Sequence, residues 1–379
     1  METKIAVDQG NILISLRKFL ARLLESKTIQ ALLISLENEN GTISPGLITD
    51  AKYLEKANPL APVMSINNGR TLSALTSTKS LENTSGSIKI GAVLRPCEIR
   101  AAIELVKLQQ VNLDQVLLIS MDCPGTFETR DYYASGFSEN GHLNEYLNAA
   151  KEGYDPSIAE LYLRTACQYC VQQKPENVAI HFHLFGADLS SEVVVTVQDQ
   201  IAKDLNLEEC PDYSEVEEGA FKKLVTTHSQ ARQKGFDDIR NKIAAEGGLS
   251  NLLSTCIRCH NCQEACPICY CRLCLFDSEA FRHESSYYLR SAQRKGALRF
   301  LPDTLLFHMT RLNHMSLSCV SCGMCSSACP EHIPVSTLFS AVGSRVQKVF
   351  DYSPGRSIDD SLPLTCFQPG EWVDIGEER

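Results

Sequence analysis

Over residues 11–25 the apolar positions recur at helical spacing, broken by Arg17, Lys18, Arg22 and Glu25, and predict an amphipathic helix. The period then changes. ALLISLE at 31–37 is a short unbroken apolar run and predicts a strand, and SIKIGAVL at 87–94 predicts a second. PCEIRAAIELVKLQQ reads next as a helix, and QVLLISMD at 115–122 as a third strand. Strands joined by a helical crossover run parallel, so strand, helix, strand in that order implies a βαβ unit. NVAIHFHLFG and EVVVTV are further strand candidates. Residues 1–250 are expected to form an α/β domain with a partly parallel sheet. Later, in LPDTLLFHMTRLNHMS, Leu305, Leu306, Met309 and Leu312 fall at helical intervals behind Asp303, a candidate N-cap.

Nowhere do 18 consecutive apolar residues occur, so no membrane-spanning helix is expected. The N-terminal helix is too interrupted by charge for a secretory signal, and the expected location is the cytoplasm. A net charge of -10, from 46 acidic and 36 basic residues, argues against nucleic acid or an anionic membrane as a partner. At 379 residues the chain can bury two or three cores without disulfides, so its 17 cysteines need another explanation. Metal binding is the better one.

Seven of those cysteines fall in the nineteen residues CIRCHNCQEACPICYCRLC. Cys256, Cys259, Cys262 and Cys266, followed by Pro267, have the spacing C-x2-C-x2-C-x3-C-P, and Cys319, Cys322, Cys325 and Cys329, followed by Pro330, repeat it. This is the bacterial ferredoxin pattern, in which the fourth cysteine of each run serves the other cluster. One 4Fe-4S cluster is then assigned to Cys256, Cys259, Cys262 and Cys329, the second to Cys319, Cys322, Cys325 and Cys266. Structural zinc usually takes two well-separated C-x2-C knuckles, which three thiolates in seven residues match poorly. Cys269, Cys271 and Cys274 remain over: with Cys266 they could make a separate C-x2-C-x-C-x2-C site, or they are buried thiols lining a cluster pocket. About 50 residues, including the helix behind Asp303, separate the two runs. His308 and His314 are six residues apart, which is not the spacing of a ligand pair on one helix face.

Ligands of α/β sheets gather beyond the carboxyl ends of strands. Cys97 and Cys123 each follow such an end, and Cys167 and Cys170, in ACQYC, precede another strand. RPCEIRA, then MDCPG, then this C-x2-C, then the two ferredoxin runs, resemble the beta-subunit family of coenzyme F420 hydrogenases and dehydrogenases over nearly the whole chain. The resemblance implies a flavoprotein: an α/β flavin-binding domain over 1–250, a dicluster ferredoxin-like α+β domain with a helical insertion over 251–345, and an extended tail over 346–379. It implies a third 4Fe-4S cluster on Cys97, Cys123, Cys167 and Cys170 beside FAD. It also implies a catalytic alpha subunit of a formate dehydrogenase, or less closely a hydrogenase, as partner, and a soluble hydride or electron carrier. A flavin-free relay subunit, or an input adaptor of a heterodisulfide-reductase-type complex, would use the same cysteines.

No G-x-G-x-x-G follows a strand, so flavin contacts have no fingerprint. Asn67, Asn68, Gly69 and Arg70 in SINNGRT are candidates for a polar loop at a phosphate or ring, with an ordinary turn as the alternative. Arg95 and Arg100 flank Cys97 and are candidates for an anionic group. His181 and His183 share one face of a strand and are expected to be structural. EECPDYSEVEEG at 208–219 is expected to be a solvated, turn-rich edge.

Overall fold

A computed structural model describes residues 1–76, 88–137, 141–156, 158, 160–210, 214–271, 273–281, 284–298 and 303–366, with backbone alone for 214–217. The chain divides into two compact units, one of Met1–Arg232 with Gly355–Asp360, the other of Gln233–Pro354 with Ser361–Arg379.

The first unit is built on a seven-stranded mixed sheet. Its strands are β1 (Glu2–Ala6), β2 (Ala31–Glu37), β3 (Ile43–Ile48), β4 (Ile90–Leu94), β5 (Val116–Met121), β6 (Ile180–Phe182) and β7 (Glu192–Val197), in the spatial order β1-β7-β6-β5-β4-β2-β3. β2, β4, β5 and β6 are parallel neighbours, and β1, β3 and β7 pair antiparallel. The expected partly parallel sheet is therefore what forms. β3 was not predicted: Pro45 and Gly46 break its apolar run, which an edge strand tolerates.

Helix α1 (Ile12–Glu25) is capped by Asn11, whose side chain accepts from Leu13 N at 3.0 Å. It buries Leu16, Phe19, Leu20 and Leu23, and Phe19 meets Phe182 of β6 edge-on at 5.4 Å. Helix α2 (Asn68–Thr76) packs on α3 (Pro96–Lys107), the crossover between β4 and β5. The two come close because Gly69 faces Ala101 and Ala102: a Cβ on Gly69 would stand 3.1 Å from Ala101 Cβ and 3.2 Å from Ala102 N.

The stretch 208–219 is corrected in part. Residues 211–213 lie outside the described residues, but Ser214 opens the long helix α4 (Ser214–Ala244). Its acidic start is what a helix N-terminus favours, since carboxylates there meet the positive end of the macrodipole.

Among the described residues of the second unit every regular element is helical, so the α+β expectation for 251–345 is also corrected. Backbone groups there are satisfied by turns and helices rather than by a ladder. The insertion helix, α5 (Thr304–Met315), is present as predicted, but Asp303 makes no capping bond and pairs with Arg258 at 2.5 Å. Helix α6 (Val335–Val349) runs four residues into the segment read as tail. Within the first unit, Gly355 N donates to Glu104 Oε1 at 2.8 Å. Trp372 and the rest of 367–379 lie outside the described residues.

Candidate functional site

The two cysteine runs fold alike. Arg258 and His260 in the first loop, and Ser321 and Gly323 at the equivalent places in the second, take positive φ and curl each loop. Each loop then enters a four-residue helical turn, Asn261–Glu264 or Met324–Ser327. One cavity is lined by Cys256, Cys259, Cys262 and, from the other run, Cys329. A second is lined by Cys319, Cys322, Cys325 and, again crossing over, Cys266.

Burial pushes the Cys262 thiol up to about 11 against the pull of Arg311, with Cys256, Cys329 and Cys259 adding to the rise. Cys325 is raised well above its ordinary value by burial and then by Cys266, Cys322 and Cys319. These thiols bind metal only by giving up protons, so the donor set is one that metal completes.

The spacing of the sulfurs bears on which metal. Among the described residues, the one group of three or more ligand atoms all within 4.8 Å of each other is Asp122, His181 and His183. A single tetrahedral zinc, with Zn–S of about 2.3 Å, would hold its four sulfurs closer than that. Neither quartet forms such a group among the described residues.

Helix α5 supplies the second layer around both cavities. His308 is buried, with Nε2 3.4 Å from Cys256 Sγ. Burial and the neighbouring Arg311 push its pKa down to about 4, so it is neutral near pH 7. Arg311 donates to Cys262 Sγ and to Cys262 O, both at 2.9 Å. Met315 Sδ lies 3.9 Å from Cys266 Sγ. Sequence reading set His308 aside and missed Arg311; their i, i+3 spacing was the available signal. Cys269, Cys271 and Cys274 are not among the residues lining either cavity, and Cys271 is exposed.

In the first unit the rim at the carboxyl ends of the strands is cysteine-rich, as expected. β4 and β5 pair Leu94 with Ser120, and Cys97 and Cys123 each lie three residues beyond that pair. The Cys123 and Cys170 thiols are raised chiefly by burial, and each also feels Cys167. Two guanidinium groups stand against these sulfurs. Arg95 donates to Cys123 Sγ at 3.6 Å and is anchored on the carbonyls of Ala61 and Val63. Arg164, buried, donates to Cys167 Sγ at 3.6 Å and to Thr126 Oγ1 at 2.8 Å. Cys97 is half-buried in the first turn of α3, two residues past Arg95. His228, fully buried on α4, was not foreseen: it bonds Cys170 O at 2.8 Å and Asp155 at 2.5 Å and so pins the C-x2-C segment.

The flavin candidates separate into two groups. Asn68 and Arg95 line a narrow cleft with Glu98, between apolar walls that include Val63, Met64, Val93 and Met121. Its walls suit the edge of a ring with one polar side. Asn67 is buried, with its carbonyl oxygen accepting from Gly69 N at 3.0 Å and its amide nitrogen unpartnered. Arg70 is exposed, and Arg100 is turned to Gln172.

His181 and His183, expected to be structural, stand with Asp122 as a group whose ligand atoms lie within 4.8 Å of one another. Asp122 accepts from His181 at 2.8 Å and from Leu184 N and Phe185 N at 2.9 and 3.1 Å, and His183 bonds Thr196 at 2.8 Å.

Residues 252–333 match the 4Fe-4S dicluster domain family. The chain is 26% identical over 306 residues to the F420-dependent formate dehydrogenase subunit beta of Methanocaldococcus jannaschii, covering 73% of this chain and 75% of that one. It is 24% identical to the F420-dependent formate dehydrogenase 1 subunit beta of Methanococcus maripaludis, covering 73% and 74%. A chain in a xenon-derivatised structure of the F420-reducing NiFe hydrogenase complex from Methanosarcina barkeri aligns with 65% of this chain and 94% of its own, at a TM-score of 0.43 and 13% identity. The chain thus carries a segment that matches the 4Fe-4S dicluster domain family and is similar, over about three quarters of its length, to beta subunits of F420-dependent formate dehydrogenases.

Proposed function

We propose that the chain carries electrons between the catalytic subunit of a formate dehydrogenase or hydrogenase and the soluble deazaflavin coenzyme F420. In this reading each quartet of the second unit holds one 4Fe-4S cluster, and Cys97, Cys123, Cys167 and Cys170 hold a third. The cleft bounded by Asn68, Arg95 and Glu98 takes the ring of FAD. What carries the reading is that each of two cavities is lined by four cysteines drawn from both runs, the crossed set a dicluster protein needs.

Bound there, the clusters supply one-electron steps and the flavin links them to hydride transfer. The chain's own residues hold and shield these groups. Thiolates brought into a buried site need compensating positive charge. Arg95, fixed on two carbonyls, keeps a cation against Cys123, and Arg164 with Thr126 does so at Cys167. His308, neutral, adds a ring nitrogen at Cys256 without adding charge.

The test is the iron and flavin content of protein purified without oxygen, with its visible spectrum taken before and after adding reduced F420. About twelve irons with one flavin, bleached by the coenzyme, is the expected result for three four-iron clusters. About eight irons and no flavin would remove the cluster of the first unit and leave a flavin-free relay. A bound flavin that reduced F420 fails to bleach would overturn the choice of carrier.

A further inference from the structure

Arg311 is 3% exposed and pairs with no carboxylate among the described residues. Its guanidinium rests over the rings of Phe307 and Phe339, at 5.5 and 5.3 Å from their centroids. Its Nε has no partner, and its other two nitrogens donate to the sulfur and the carbonyl of Cys262. The same side chain lines the second cavity, with Cys266, Cys319, Cys322 and Cys325. A buried cation without a counter-charge is costly, and one partner removed from a buried pair is more costly still. The countercharge present here is sulfur, from both quartets.

We propose that Arg311 is a positioning residue shared by two clusters, one fixed positive charge that raises the reduction potential of both. The inference rests on the reading of the two quartets as 4Fe-4S sites. Each cluster gains one electron on reduction and becomes more negative by one charge, and no proton need move. A permanent cation that lines the second site and bonds a thiol of the first stabilises the reduced form of each. The bond to Cys262 Sγ adds to this at the first cluster, because hydrogen bonds to cluster sulfurs and net charge are among the terms that set such potentials. Both clusters are thereby made easier to reduce, the first more than the second. His308 lies one helical turn back and is neutral, so it does not duplicate the role.

The experiment is a redox titration of the whole protein followed by electron paramagnetic resonance, on wild type, Arg311→Gln and Arg311→Lys, with iron determined on each sample. The cluster signals are assigned with Cys256→Ser and Cys319→Ser. Arg311→Gln is expected to move both midpoints to more negative values. At the first cluster the shift is a tenfold or greater loss in the reduced-to-oxidised ratio at fixed potential, about 59 mV for one electron. Arg311→Lys keeps the charge and loses the two bonds to Cys262, so its first cluster falls between wild type and Arg311→Gln while the second stays near wild type. If Arg311→Gln does not retain iron, the lysine variant decides, and a lysine variant with neither midpoint moved overturns the proposal. So does Arg311→Gln with full iron and one midpoint or none displaced. A wild-type protein with fewer than about eight irons instead removes the cluster reading on which the proposal stands.

Discussion

The Glu98 carboxylate accepts three N–H bonds, from Arg95 N at 2.8 Å and from Asn68 N and Nδ2 at 2.9 Å each, and thereby ties the first turn of α3 to the start of α2. Removing it orphans three buried donors at about 1–3 kcal/mol each, less whatever water or relaxation restores. Glu98→Ala is expected to cost on the order of 3 kcal/mol and Glu98→Gln less, measured as the shift in denaturant midpoint of the first unit. Burial also raises the Glu98 carboxyl above its ordinary value, so the folded chain holds a proton there more tightly than the unfolded one. The stability this contributes is complete below the unfolded value and is lost as pH rises through the folded one. The advantage of wild type over Glu98→Gln should therefore be greatest in acid and shrink towards neutrality; an advantage that grows with pH would refute this account.

Two small faces set how α2 meets α3, and Gly69 is the tightest point of that contact. A valine there drives a branched side chain into Ala101 and the backbone of Ala102, which overpacking predicts to cost about 1–3 kcal/mol. Thermal unfolding of Gly69→Val should show it, and a midpoint equal to wild type would mean that the helices slide apart freely. The same contact explains a gap in what could be read from the chain. SINNGRT looks like an open polar loop because its residues are polar, yet Asn67, Asn68 and Gly69 are buried by a helix some thirty residues away in sequence. Strands β2 and β7 were legible from ALLISLE and EVVVTV because burial on both faces leaves a continuous apolar run. β3 was not, since its proline and glycine erase the local signal that edge pairing restores. Among site residues, cysteine spacing showed the quartets because a cubane imposes a local separation on its ligands. Nothing local distinguishes Arg311, whose meaning comes from where α5 packs.

Across the second unit, the ligand sets predict which pairs of substitutions act together. Cys256→Ser with Cys329→Ser should remove one set of about four irons and leave the other cluster's spectrum intact. Cys256→Ser with Cys266→Ser, though both lie in one run, should damage both clusters. Iron analysis with magnetic resonance distinguishes these outcomes, and independent behaviour of the two runs would contradict the crossed lining of the cavities. That crossing also has a consequence in time. The set containing Cys266 is not whole until Cys325 has been made and the other not until Cys329, although the first three thiols of the earlier set are already out by Cys262. At about 5–20 residues per second the ribosome leaves those three sulfurs without their fourth for several seconds. With the proposed ligand sets, iron insertion waits for the late part of synthesis, and a transcript cut short before Cys319 is expected to yield a chain unable to finish either centre.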